Sequence, residues 1–338
     1  MSGKSNKPLL EVKNLKTYFH SDSGTVKAVD DVSFFVNEGE TLGIVGESGC
    51  GKSISSMSIL RLVETPPGKY EGGEILFEGQ DMLTISDDEM RKVRGNKISF
   101  IFQEPMTSLN PIFKIGDQLS ETMILHRGMS KKEAWEESIR LLDLVRIPNP
   151  ERVVGEYPFA LSGGMRQRAM IAMSLACEPK LLIADEPTTA LDVTIQAQVL
   201  DLMNDLKKKI NASIIFITHD LGVIAEMSDR VMVMYAGKVV ETASVQDIFL
   251  NPSHPYTIGL INSKPDMSTS SDRLHVIPGG VPDLSQKPSG CPFHPRCDKV
   301  TDKCTKEFPP ETAISDQHKV FCWACQGKQE EGSKWQKH

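Results

Sequence analysis

The sequence predicts an α/β protein built around a parallel β-sheet, and three features of the chain support this. Short runs that are wholly apolar recur, as in strands buried on both faces. Amphipathic stretches separate them, and a glycine-rich segment follows the first run. The apolar runs are residues 41–45, 98–102, 181–184 and 214–217.

A second, smaller sheet is expected near the N-terminus. Residues 10–13 and 29–34 alternate apolar with polar side chains, and residues 74–77 lead into a turn at Gly79. This alternation is typical of antiparallel strands with one face in solvent. We therefore expect a small antiparallel sheet beside the core.

Helices are expected between the strands of the core. One should begin at about Lys52, directly after the glycine-rich segment. Another should begin after Ser130, because Ser130 and Glu133 have the spacing of a capping box. Residues 194–210 form a third amphipathic stretch.

The composition limits the functional classes. The 338 residues are 39% hydrophobic and 25% charged, a globular balance that suffices for two or three domains. The net charge of −7 argues against a general nucleic-acid-binding protein, so no nucleic-acid partner is expected. No run approaches the roughly 18 apolar residues of a membrane-spanning helix, and residues 1–8 lack the apolar core of a signal peptide. We expect a cytosolic protein that would serve a membrane by docking onto a separate membrane protein.

The composition changes near residue 251, where Pro, Ser and Cys become frequent and periodicity is lost. We place a boundary there, with one domain at 1–250 and a C-terminal extension at 251–338. Five of the seven cysteines lie in this extension. In a reducing compartment such a cluster is more typical of metal ligands than of disulfides.

Residues 46–53, GESGCGKS, fit the phosphate-binding pattern GxxxxGK[ST] between a predicted strand and a predicted helix. Backbone N–H groups of such a loop converge on phosphate oxygens. The lysine would reach the β- and γ-phosphates, and the final serine hydroxyl would bind Mg²⁺. The pattern alone indicates a nucleoside triphosphate. The residues expected to contact it are Ser48, Gly49, Cys50, Gly51, Lys52 and Ser53.

Asp185 and Glu186 supply the second half of such a site, at the end of the apolar run 181–184. Asp185 could hold Mg²⁺ through water, and Glu186 could polarise the attacking water. Carboxylates at a strand end are often merely solvated acids. The phosphate loop is what favours a catalytic interpretation of this pair.

Residues 161–168, LSGGMRQR, resemble the signature segment of ABC ATPases. Gln103, residues 190–192 and His219 complete that family's motifs in the family's order, and the resemblance covers residues 8–250. It implies an α/β P-loop NTPase core of the ABC ATPase type, with an antiparallel β subdomain and a helical subdomain. A small Cys-rich C-terminal domain would follow.

The resemblance also implies how two subunits would cooperate. Ser162, Gly163 and Gly164 would face the phosphate loop of a second ATPase subunit, so that ATP joins two subunits head to tail. Met165 stands where the family often has Gln. Because the backbone donors remain, we expect activity to be retained.

The catalytic and nucleotide-binding roles implied by the resemblance are specific. Catalysis of ATP hydrolysis would depend on Glu186, His219 and Gln103, and Gln103 would also contact Mg²⁺. Phe19 would stack on adenine, with Tyr18 as the alternative. Either aromatic residue could instead be ordinary core packing.

Residues 103–111, QEPMTSLNP, resemble the loop of the dipeptide, oligopeptide and nickel importer branch, and residues 254–256 with the Cys-rich tail resemble its C-terminal extension. This implies ATP-driven peptide uptake at the cytoplasmic face of the bacterial plasma membrane, with nickel as the alternative substrate. The loop would couple the Mg²⁺ site to the membrane subunits. The implied partners are two membrane-spanning permease subunits, an extracytoplasmic substrate-binding protein and a related, non-identical second ATPase.

Other functional classes explain the motifs less well. A soluble ABC ATPase of translation would carry two phosphate loops in one chain. One of DNA repair would carry a long coiled coil, and residues 54–160 contain no sustained heptad run. A small-molecule P-loop kinase would leave residues 161–168 unexplained.

The cysteines of the extension allow three interpretations. Five is an odd number for disulfides, and the expected compartment is reducing. Cys322-x-x-Cys325 is a zinc-like pair, whereas Cys291-Pro292 resembles the proline found beside iron–sulfur ligands. Both metals need four ligands, so the chemistry leaves zinc and iron–sulfur open. The resemblance implies a structural 4Fe-4S cluster held by Cys291, Cys297, Cys304 and Cys322.

Overall fold

The structure is a computed structural model that describes residues 8–22, 24–103, 108–189, 192–263 and 276–326. The strands in these ranges are β1 (Leu10–Ser21), β2 (Gly24–Val36), β3 (Thr41–Val45), β4 (Gly68–Phe77), β5 (Gln80–Asp81), β6 (Ile98–Ile101), β7 (Leu181–Asp185), β8 (Ser213–Ile217), β9 (Arg230–Tyr235), β10 (Lys238–Ser244), β11 (Thr312–Ser315) and β12 (His318–Val320).

The helices in the same ranges are α1 (Lys52–Ile59), α2 (Asp87–Val93), α3 (Ile115–Arg127), α4 (Lys131–Leu144), α5 (Pro150–Val153), α6 (Gly163–Leu175), α7 (Val193–Ile210), α8 (Leu221–Met227), α9 (Val245–Leu250), α10 (Pro255–Asn262) and α11 (Asp302–Lys306). Short 3₁₀ turns occur at Pro158–Ala160, Leu284–Gln286, His294–Arg296 and Trp323–Cys325.

The core is an eight-stranded sheet in the order β11-β12-β10-β9-β3-β8-β7-β6. Strands β9, β3, β8, β7 and β6 pair in parallel. Every residue of β3, β7, β8 and β9 is buried, as expected for parallel strands with both faces covered. The predicted parallel core is therefore confirmed, and its strand ends gather the predicted nucleotide-binding residues.

The N-terminal strands form a separate antiparallel sheet in the order β2-β1-β4-β5. This confirms the predicted second sheet, although β1, β2 and β4 extend beyond the predicted segments. The sheet packs on α1, where the hydroxyls of Thr17 and Ser58 lie 3.0 Å apart in the interior. Strand β1 therefore lies beside the helix that follows the phosphate loop.

The predicted helix starts agree with the structure. Helix α1 begins at Lys52, and α4 begins after a capping box in which Glu133 N–H donates to the Ser130 hydroxyl and Ser130 N–H donates to the Glu133 carboxylate. Helices α3, α4 and α6 pack together as a helical region between β6 and β7. Within it the hydroxyls of Ser120 and Ser138 lie 3.1 Å apart.

Residues 276–326, called here the C-terminal segment, continue the core sheet. Strand β12 pairs with β10, and β11 pairs with β12. The sequence showed little periodicity after residue 251, and we predicted no strand there. The core sheet contains strands from both sides of residue 251. The domain boundary at that residue stays a prediction. Within the ranges described above, no helix is both long and apolar enough to cross a lipid bilayer.

Candidate functional site

The phosphate loop joins β3 to α1 and has a backbone that requires glycine. Gly46 and Gly51 have φ angles of 155° and 96°. A Cβ atom at Gly46 would lie 2.3 Å from the carbonyl oxygen of Met234, and one at Gly51 would lie 2.2 Å from that of Ala28. Any side chain at these positions would clash with neighbouring backbone, which explains why the motif has glycine there.

Lys52 lies along the inner side of this loop. Its Nζ donates to the carbonyl oxygens of Gly46 at 2.8 Å and Glu47 at 3.0 Å, and the residue is 5% exposed. Ser48 and Gly49 are exposed at the loop tip. Cys50 is buried beneath the loop, and burial raises the pKa of its thiol. The cation is therefore held next to an exposed backbone turn, an arrangement suited to a polyanion.

Asp185 ends β7 beside the phosphate loop. Burial raises the pKa of Asp185, while a hydrogen bond from Ser53 and the charge of Lys52 oppose that rise. Its Oδ1 atom is buried and has no hydrogen-bond partner. A divalent cation would satisfy this oxygen and stabilise the charged carboxylate. The residues present therefore fit the Mg²⁺ that the sequence predicted.

Glu186 stands at the centre of a polar cluster at the same sheet edge. Its Oε2 accepts a hydrogen bond from Gln103 Nε2 at 3.2 Å and from Thr189 Oγ1 at 2.9 Å, and lies 3.3 Å from His219 Nδ1. The backbone of Glu186 has a left-handed φ of 46°, and its N–H donates to Ile217 O at 2.9 Å. Gln103, Glu186 and His219, predicted from separate motifs, are thus brought into contact.

The signature segment starts helix α6. Ser162 caps the helix by accepting a hydrogen bond from the Met165 N–H at 3.3 Å, and Gly163 is exposed. Met165 packs against the apolar core. The buried Gln167 instead donates to the carbonyl oxygen of Pro187, one residue after Glu186. The helix N-terminus therefore keeps its exposed backbone donors without a glutamine at position 165.

The comparisons with known proteins agree with this geometry. Residues 29–189 match the family model described as ABC transporter. The oligopeptide transport ATP-binding protein AppD of Bacillus subtilis is 53% identical over 315 residues, which is 93% of this chain and 96% of that protein. The chain belongs to the ATP-binding subunits of ABC transporters. It is accordingly an ATPase that binds and hydrolyses ATP in transport.

Further relatives support the same family. Residues 240–304 match the model described as oligopeptide/dipeptide transporter, C-terminal region. The dipeptide transport ATP-binding protein DppD of Bacillus subtilis is 51% identical over 93% of this chain and 94% of that protein. The dimeric post-hydrolysis structure of the ATP-binding cassette MJ0796, bound to ADP and Pi, is 28% identical with a TM-score of 0.63, covering 70% of this chain and 98% of that one.

The two aromatic candidates for adenine in this ABC ATPase differ in their surroundings. Tyr18 donates from its hydroxyl to Asp30 at 2.8 Å, and burial together with this bond raises the pKa of Tyr18. Phe19 follows Tyr18 on β1, where it pairs with Val26 of β2 and Gly68 of β4, and it is partly buried. Stacking of adenine on Phe19, with Tyr18 as the alternative, stays a prediction.

The four cysteines proposed as ligands in this ABC ATPase gather around one small enclosed cavity. Cys291, Cys297, Cys304 and Cys322 line it, whereas Cys325 does not; the Cys325 thiol lies 3.5 Å from Ser253 O and interacts with the Cys322 thiol. Burial raises the pKa of Cys291 to about 12 and also raises that of Cys297. Among the described residues, no group of three or more Cys, His, Asp or Glu side chains is arranged to hold a metal ion.

Some contacts of this ABC ATPase carried no sequence signal. The Thr189 hydroxyl bonded to Glu186 is a short-range contact that no motif indicated. Glu47, within the phosphate loop, is bonded to Tyr256 and Arg296 from beyond residue 250. Residues 104–107, 190 and 191, part of the predicted coupling loop and motif set, lie outside the described residues.

Proposed function

We propose that this ATPase drives the import of dipeptides and oligopeptides across a bacterial plasma membrane, working at its cytoplasmic face. The observation that carries this proposal is the 53% identity, over 93% of the chain, to an oligopeptide transport ATP-binding protein. The match of residues 240–304 to the oligopeptide/dipeptide C-terminal region supports the same substrate class.

Each side chain at the sheet edge has a proposed role in hydrolysis. Lys52 binds the β- and γ-phosphates, and Ser53 and Asp185 hold Mg²⁺ with Gln103. When bound there, Mg²⁺ would supply charge neutralisation to the phosphates. Glu186 orients and polarises the attacking water, while His219, 66% exposed and 3.3 Å from Glu186, contacts the γ-phosphate.

ATP is proposed to join this subunit to a second one. Ser162, Gly163 and Gly164 would contact the γ-phosphate bound by the partner's phosphate loop, with the N–H groups at the start of α6 as donors. The exposed position of Gly163 supports this role. The partner ATPase is proposed to be related but not identical, giving a heterodimer. ATP would then favour the closed pair by differential binding.

The helical region offers a surface for the membrane subunits. A groove of about 1050 Å³ between α3 and α4 is lined by Phe113, Ile124, Leu125 and Trp135 among others. Ile112 and Phe113 are 72% and 51% exposed, next to the predicted coupling loop. We propose that each of two permease subunits inserts a short cytoplasmic helix here, and that an extracytoplasmic binding protein delivers the substrate.

The cysteine cavity is proposed to hold a 4Fe-4S cluster through Cys291, Cys297, Cys304 and Cys322, with zinc as the alternative. Four thiols, the number and type of donors that such a cluster needs, line one cavity. Binding would require these side chains to rearrange, since among the described residues no three are arranged to hold a metal ion. When bound, such a cluster would cross-link the C-terminal segment. Anaerobic purification should give about four irons per chain, lost in Cys297→Ser and retained in Cys325→Ser. Stoichiometric zinc without iron would overturn this.

The transport proposal is tested by reconstitution in liposomes with two permease subunits and a binding protein. Labelled dipeptides and oligopeptides should accumulate only with ATP, and Glu186→Gln should abolish accumulation. Substitutions at residues 108–110 should reduce uptake more than basal hydrolysis. ATP-dependent uptake of nickel without uptake of peptides would instead establish the nickel alternative.

A further inference from the structure

The C-terminal segment reaches back to the phosphate loop at Glu47. Arg296 makes a bidentate pair with this carboxylate, with nitrogen–oxygen distances of 2.7 Å and 3.1 Å. The backbone N–H of Glu47 donates to the Tyr256 hydroxyl at 2.8 Å. The side chain of Glu47 is therefore held by Arg296 and its backbone by Tyr256, and both of these residues follow β10 in the sequence.

Arg296 is fixed in place by other contacts. Its guanidinium donates to the carbonyl oxygen of Pro278 at 2.8 Å and to the Tyr235 hydroxyl at 3.2 Å, and its side chain is 5% exposed. Exposed ion pairs contribute little because long side chains must be ordered. Here the ordering comes from the surrounding contacts, and bidentate geometry is the strong form of such a pair.

Tyr256 is equally fixed. It is fully buried on α10, and its ring centroid lies 4.6 Å from that of Tyr235 and 5.3 Å from that of Phe293. Phe293 directly precedes the 3₁₀ turn that Arg296 ends, and Cys297 directly follows that turn. The aromatic cluster thus connects the Glu47 backbone to the region of the cysteines.

The negative charge of Glu47 is unfavourable for the binding of ATP to the phosphate loop. A free carboxylate inside a loop that binds a triphosphate would repel the ligand. The paired guanidinium offsets this charge. Because Lys52 Nζ also bonds to Glu47 O, a movement of Glu47 would displace the loop's cation as well.

We propose that Arg296 and Tyr256 are positioning residues for ATP binding: they hold Glu47 so that the phosphate loop keeps its shape and its acidic side chain is neutralised. This rests on the proposed role of the loop in binding the phosphates. The decisive property is charge, since a neutral residue at position 47 would remove the need for Arg296.

The experiment measures binding of a non-hydrolysable ATP analogue with Mg²⁺ to the full chain. Arg296→Ala should weaken binding about tenfold, and weakening should lessen as salt is added. Tyr256→Phe should weaken it about threefold. The double variant Glu47→Gln with Arg296→Ala should recover to within about threefold of the unaltered protein. Lys319→Ala is the matched control, because it breaks an exposed pair with Glu311 in the same segment and should leave binding unchanged.

Unchanged binding in Arg296→Ala would overturn the proposal. A double variant as weak as Arg296→Ala would also overturn it, because that result indicates a purely structural arginine. If Arg296→Ala does not fold, Arg296→Gln, which keeps donors without the charge, replaces it with the same expectations. Lys52→Ala distinguishes this inference from the proposed role of the phosphate loop. If Lys52→Ala binds the analogue normally, the proposed role of the loop is wrong. If Lys52→Ala binds weakly while the Arg296 variants bind normally, only the inference about Arg296 and Tyr256 is rejected.

Discussion

The nucleotide site and the C-terminal segment hold their functional side chains by different means. At the nucleotide site, the fully buried strands β3, β7 and β8 end side by side, so that residues immediately after them meet. Apolar burial supplies the stability there, and the polar side chains are left available for chemistry.

The C-terminal segment has short elements and is anchored by buried polar groups. Glu241 on β10 accepts hydrogen bonds from Ser253 N–H at 2.7 Å, His254 N–H at 2.9 Å and His318 Nε2 at 2.7 Å. Lys287 pairs with Asp30 at 3.2 Å. Substitution of a polar residue should therefore lower activity at the nucleotide site and lower stability in the C-terminal segment.

The largest effect expected from this comparison is at Glu186. Glu186→Gln should lower ATP turnover in the assembled transporter by about 10²–10⁴, because it removes a positioned base. The unfolding temperature should be unchanged. Glu226→Gln, at an exposed position on α8, is the matched control and should keep normal turnover. Near-normal turnover in Glu186→Gln would remove the proposed catalytic role.

The same type of change at Glu241 should act on stability. Glu241→Ala should lower the free energy of unfolding by about 3 kcal/mol, because three donors, two of them buried, lose their acceptor. Urea unfolding measures this loss, and protease cleavage within 276–326 should become faster. Glu311→Gln, at an exposed site of the same segment, should be neutral. An equally stable Glu241→Ala protein would contradict polar anchoring of the segment.

Acid should weaken the anchor of the second region through His254, which lies before the C-terminal segment and donates its backbone N–H to Glu241. Burial lowers the pKa of His254 to about 4, and its Nδ1 accepts the Tyr256 N–H at 3.0 Å, so the folded state holds the neutral ring. The unfolded state binds the proton first, near pH 6.5. Stability is therefore fully present above about pH 6.5 and is lost as pH falls towards 4, by roughly 3 kcal/mol.

His254→Asn tests this pH dependence. Asparagine caps a helix without titrating, so unfolding of the variant should vary less between pH 6.5 and 4 than that of the unaltered protein. Urea unfolding at several pH values makes the measurement. Parallel pH curves for the two proteins would show that another group is responsible.

The smallest predicted effect distinguishes the two aromatic residues of β1. Phe19→Ala should weaken ATP binding by about 1–3 kcal/mol through lost stacking on adenine. Tyr18→Ala, which removes the competing ring, should leave binding nearly unchanged, since the Tyr18 hydroxyl is engaged with Asp30. Equilibrium binding of ATP and of inorganic triphosphate makes the comparison. The Phe19 effect should disappear with triphosphate, and a reversed order of the two variants would favour Tyr18.

The sequence predicted the first region better than the second for a physical reason. Wholly apolar runs predict buried strands, so residues that follow those strands could be expected at one edge of the sheet. The resemblance to ABC ATPases then implied that Gln103 and His219 join Glu186 there. The C-terminal segment depends on contacts between distant residues, such as His318 with Glu241. Such contacts produce no local periodicity in the sequence. Strands β11 and β12 and the pairing of Arg296 with Glu47 were consequently not predicted.

The pairing of β12 with β10 has a consequence for synthesis on the ribosome. Strand β10 ends at Ser244, and its partner begins only at His318. Until that later stretch emerges, the growing polypeptide exposes the open N–H and C=O groups of β10, a template to which another nascent chain could add. Emergence of His318–Val320 therefore covers an edge that would otherwise promote aggregation.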